Sequence, residues 1–257
     1  MPFFKPKQPI LQNKEISLKA LNTSDLLIMK CLRLGFLEKI NLCGIYTCID
    51  QAMIIWGVMS GIIFLTAQFL PVSWLTQAIF WSIITVIGVI LMTVLTRHWT
   101  EEQNISQLLY IWGILMIVGV VITDLAIVDG WGFVLMHLCD LWLIISAIGY
   151  IMTGWIVHSR AFFISAIVHL LTVFALPYFI GWQFAVTGMV MMSNLLIFAE
   201  KQWDMLLAQD FVKYSSGVST PVRFRIDRFS PSFSSSILDD FFVLGHIFRH
   251  LILFVFT

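Results

Sequence analysis

The chain has 257 residues and a formal net charge of zero, and 59% of it is hydrophobic against only 12% charged. Soluble domains carry about 25% charged residues, so this composition excludes an ordinary soluble domain, and the zero net charge argues against a nucleic-acid partner. A mean hydropathy of +0.91 points to a chain that lives in lipid.

Residues 1–49 read as a basic cytoplasmic arm. Lys5, Lys7, Lys14 and Lys19 lie in a polar opening stretch. Thr23, Ser24 and Asp25 then offer N-cap chemistry to LLIMKCLRLGFLEKI. Lys30, Arg33 and Lys39 suit a helix that lies among headgroups or packs on the inner face of a bundle. The seven basic residues scattered through this arm, with no A-x-A-like site, give no expectation of a secretory leader. Cys31, Cys43, Cys48 and Cys139 form no C-x-x-C, so neither a disulfide framework nor a zinc knuckle is expected.

Residues 50–199 should form the membrane domain. A crossing takes about 20 mostly apolar residues, and six such stretches follow: 50–69, 74–95, 106–127, 131–155, 161–180 and 182–199. Two independent signals support them. Lys and Arg fall in the arm, at Arg97, at Arg160 and after residue 200, whereas the links near Pro71, Asp129 and Gly181 contain none. This positive-inside pattern predicts that both termini are cytoplasmic. Trp74, Trp131 and Trp182 then mark outer ends, and Trp99, Trp155 and Trp203 mark inner ends.

Residues 200–257 read as a cytoplasmic tail. Glu200, Lys201 and Asp204 close the sixth span, and Arg223, Arg225 and Arg228 suit contact with anionic headgroups. In ILDDFFVLGHIFRHLILFVFT, Asp239, Asp240, His246, Arg249 and His250 share one side of a helical wheel. An interfacial amphipathic helix is expected there, not a seventh crossing.

The fourth span holds His137 and Asp140 in an apolar run. An Asp at the centre of a spanning helix costs about 2.5–3.5 kcal/mol on insertion scales, so some compensation is needed. As one helix, 131–155 would put Asp140 about 13 Å from its outer edge, and His169 lies about 12 Å into the next span from the inner edge. The predicted intramembrane cluster is therefore His137, Asp140, His169 and Asn194, with Ser165, Thr172 and Thr187 nearby and Asp50 and Asp124 as secondary positions.

Three readings of the cluster stay open. It ties helices together, it relays protons or ions, or His137, Asp140 and His169 hold a metal or haem. No motif decides among them. GVMSG is the nearest string to G-x-S-x-G, no Asn precedes a Pro, and neither H-E-x-x-H nor a Walker sequence occurs. The expectation is an all-α polytopic membrane bundle of six helices, in a bacterial-type inner or thylakoid membrane. The cofactor is unknown, and the partners are the bilayer and a larger complex or a second copy.

Overall fold

The computed structural model describes residues 9–13, 46–103 and 105–204. They fall within one of the two units into which the chain divides, Met1–Val212. The helix expected after Thr23 and the C-terminal amphipathic helix lie outside the described residues.

Among the described residues there are seven α-helices: α1 (Cys48–Phe69), α2 (Trp74–Glu102), α3 (Gln107–Val128), the short α4 (Gly132–Met136), α5 (Leu138–Val157), α6 (Arg160–Ala175) and α7 (Gln183–Glu200). A 3-10 turn, Leu176–Tyr178, prolongs α6. Six of these segments are long and apolar enough to cross a membrane, as an integral membrane protein requires. Two short strands, β1 (Leu11–Asn13) and β2 (Lys201–Trp203), pair antiparallel with Leu11 opposite Trp203.

Local chemistry explains the helix ends. Thr47 caps α1 in a reciprocal box: Asp50 N–H donates to Thr47 Oγ1, and Asp50 Oδ2 accepts from Thr47 N–H at 2.7 Å. Ser73 Oγ accepts from Thr76 N–H at the start of α2. This helix runs to Glu102, past the expected boundary at 95, and its last turns carry an Arg97–Glu101 ion pair at 2.7 Å. At 29 residues it measures about 43 Å, longer than a hydrocarbon core of about 30 Å. Gly130 and Gly181 take positive φ in the links before α4 and α7, where a side chain would be strained.

The expected fourth span is two helices. The chain breaks at His137, which ends α4 and precedes α5 with φ −110° and ψ 23°. His137 Nδ1 donates back to the Phe133 carbonyl at 2.9 Å, and its ring lies against Phe133 with centroids 4.7 Å apart. The apolar run gives no sign of the break, because hydropathy alone does not register a turn within it.

Large side chains close over glycines where helices meet. On α1, Gly57 and Gly61 face α7, and a Cβ on Gly61 would come within 2.6 Å of Met192 Sδ. GVMSG is thus a small-x-x-x-small contact. Trp112 covers Gly149 and Trp142 covers Gly119, joining α3 to α5. The most extensive contacts are α1 with α7 and α5 with α6, while α2 bridges α1 to α3, and α3 closes on α5. Helices α1, α2, α3, α5 and α7 thereby form a ring, with α6 packed against α5 and α7. The basic end of this bundle is the one that carries Arg97, Arg160 and Lys201.

Candidate functional site: an interior polar seam and a central cavity

His169 is fully buried on α6. Its Nδ1 donates to the Ser165 carbonyl at 2.8 Å, as the i,i+4 spacing of a helix allows. Nε2 therefore carries the lone pair, and this buried atom meets no partner. The ring rests against Tyr150 of α5, with centroids 4.9 Å apart. Ser165 Oγ donates to Asn194 Oδ1 at 2.9 Å, which ties α6 to α7. The Tyr150 hydroxyl lies beside Asn194, although Asn194 Nδ2 finds no partner of good geometry. Thr187, also fully buried, sits beside the Cys139 thiol.

The structure thus brings His169 and Asn194 into one seam with Ser165 and Tyr150. It does not bring His137 and Asp140 there. Because α5 begins at Leu138, Asp140 falls in the first turn of its helix. Asp140 lies ten residues before Tyr150, the residue that contacts His169, and so about 15 Å away along the axis. His137 is exposed at the helix break, within electrostatic reach of Asp140. Asp140 and Tyr150 stand on the same helix, so the separation between them follows from their ten-residue spacing. Among the described residues, no three of His, Cys, Asp and Glu converge as a metal site needs. The remaining expected positions are separate. Asp50 serves the α1 cap, Asp124 on α3 accepts from Ser82 Oγ on α2 at 2.7 Å, and the half-buried Thr172 donates to the Val168 carbonyl of its own helix at 2.8 Å.

Asp204 is the residue whose role the sequence concealed. Its carboxylate accepts from Ser159 Oγ at 2.9 Å, Ala161 N–H at 3.1 Å and Arg160 N–H at 3.4 Å, and it pairs with Arg160 Nε at 2.6 Å. A buried anion therefore caps α6, whose own preceding residue Ser159 makes no side-chain cap. Only the spacing of a charge just after α7 hinted at this, because the capped amides lie over 40 residues away. Beside it, the Tyr46 hydroxyl donates to Glu200 Oε1 at 2.6 Å. Burial first, then the Glu200 carboxylate, pushes the Tyr46 phenol up to about 12.

The ring of helices surrounds a cavity of about 150 Å³, which runs from Ile49, Thr100 and Trp203 at the basic end to Phe64 and Trp142. A second cavity of about 20 Å³ adjoins it through Phe64, Thr85 and Trp142 and ends beside Ser82 and Asp124. No family model matches the chain, and no curated protein or solved structure matches it either. The reading of function therefore rests on this geometry.

Proposed function

We propose that this protein is a non-enzymatic accessory or assembly subunit of a larger membrane complex, in a bacterial-type inner or thylakoid membrane with both termini cytoplasmic. One observation supports it. The ionisable groups of the spans are spread over separate contacts (a cap at Asp50, a helix tie at Asp124, a first-turn position at Asp140, a packed ring at His169) and share no centre. Side chains so distributed hold helices together at small individual gain, about 0.6 kcal/mol per interhelical hydrogen bond. Purification of the full chain in mild detergent should recover a stoichiometric partner set. A monodisperse protein without partners counts against this reading.

A small proton-coupled transporter is the second reading, and here Asp124 supports it better than Asp140. Asp124 adjoins internal space, and 20 Å³ is large enough for about one water molecule. In liposomes, Asp124→Asn should abolish pH-driven flux. Flux that survives this change removes the transporter.

A further inference from the structure

A Ser or Thr hydroxyl in an apolar helix ordinarily bonds a carbonyl about one turn back, and most of those lining the 150 Å³ cavity do so. Ser60 Oγ donates to the Trp56 carbonyl, Thr96 Oγ1 to that of Met92, Thr100 Oγ1 to that of Arg97 and Thr153 Oγ1 to that of Gly149, each at 2.8 Å. Thr153 also accepts from Trp112 Nε1 at 3.0 Å, and Trp142 Nε1 donates to Thr123 Oγ1 at 3.2 Å. The Tyr150 hydroxyl is turned to Asn194. Two lining residues depart from this pattern. Thr85 of α2 and Ser146 of α5 are buried, yet among the described residues their hydroxyls bond nothing. Trp56 Nε1 is unpaired too, but its neighbours cover it completely. The Thr85 and Ser146 oxygens are not covered in that way, and the space their residues line is the cavity.

These two hydroxyls stand at nearly one level. Ser82 Oγ of α2 bonds Asp124, and Trp142 of α5 bonds Thr123, so both helices are in register with adjacent residues of α3. Counted from those bonds toward the basic end, Thr85 lies about 4.5 Å deeper and Ser146 about 6 Å deeper. They therefore fall within about one helical turn of each other, on the walls that flank α3. The rest of the lining near them is apolar, with Phe64, Met116 and Met191.

Volume and chemistry together select the guest. An apolar cavity of about 150 Å³ accepts a molecule the size of benzene. A water at this level would meet two polar partners, the fewest that hold one, and would fill only a small part of the space. A hydroxyl on a ring both donates and accepts, as Thr85 and Ser146 do.

We propose that the cavity binds a single-ring phenol or cyclic alcohol, with its ring in the apolar space and its hydroxyl on Ser146 and Thr85. The site goes beyond the accessory-subunit reading and does not depend on it.

The test uses the full chain purified in detergent and fluorine NMR, with 4-fluorophenol and fluorobenzene as probes. Each probe should give a bound resonance, distinct from that of probe in detergent, which saturates at one per protein. The double variant Thr85→Val/Ser146→Ala removes both hydroxyls and nearly keeps their shapes. It should weaken 4-fluorophenol about fivefold and leave fluorobenzene no weaker. Fluorobenzene thus reports whether the variant's cavity is intact, and if the double variant loses it, the two single variants carry the same comparison. The proposal is overturned if neither probe gives a saturable bound resonance with the wild type. It is equally overturned if 4-fluorophenol binds unchanged to a variant that lacks the hydroxyls and still binds fluorobenzene.

Discussion

Where α5 meets α6 and α7, side chains fill the space between helices. Tyr150, Phe162 and Phe198 stack with Phe162 and Phe198 centroids 4.7 Å apart, alanines at 147, 161 and 166 let the backbones approach, and Ser165 binds Asn194. Across the ring, where α1, α2 and α3 face α5, contact is made at the rims by tryptophans seated on glycines, and the middle stays open. Half of the α5 span is buried, against a third or less of any other. One helix therefore belongs to both regions. The contrast shows how one apolar composition yields a packed core on one side and a hollow on the other: small residues opposite medium rings close the gap, whereas tryptophans set against Gly119 and Gly149 make the contact and leave space beside it.

Four changes would break or sharpen this contrast. The largest effect is expected on the packed side from Asp204→Ala, which leaves Arg160 and the α6 amides without their anion. It should cost about 3 kcal/mol and lower the detergent melting temperature. An unchanged melt would mean that α6 holds without its cap. Next comes Gly149→Val at the shared helix. A Cβ there would stand 2.6 Å from the Trp112 ring, so about 2 kcal/mol of overpacking is expected, with a shift in indole emission as Trp112 is displaced.

Tyr46→Phe should cost about 1 kcal/mol at neutral pH. Its contribution depends on pH in a fixed direction. The folded phenol titrates above its ordinary value of 10, so the stabilisation is complete below that value and is lost as pH rises through about 12. Melts of wild type and Tyr46→Phe should converge over that window, and ultraviolet titration should show one late phenolate fewer in the variant. Smallest is Ser165→Ala, about 0.6 kcal/mol. It should leave the indole emission of Trp112 unaffected, since that bond lies on the packed side.

The spans were legible in the sequence because hydropathy, charge and tryptophan placement all report the bilayer, which acts on every residue of a helix. Asn194 and Ser165 were legible as polar positions within apolar helices, though not as partners of one another. What stayed hidden depended on angles and on distant partners. The turn at His137 lay inside an uninterrupted apolar run, and the α6 cap came from beyond α7. The glycines of α1 were visible as GVMSG, yet their meaning needed Met192 opposite them. Trp56 was visible only as one indole among ten, and its unpaired N–H emerges only when the bonds of the others are known.

The small sheet at the basic end bears on how the chain is made. Leu11 pairs with Trp203, which follows all six spanning stretches in the chain. Its closure also brings the Asp204 N–H to the Ile10 carbonyl at 3.2 Å and so sets the anion beneath α6. A chain that stops short of residue 201 lacks the second strand. A chain that ends between α6 and α7 has an α6 without its Asp204 cap. Three residue pairs thus fasten a stretch that precedes the bundle to one that follows it.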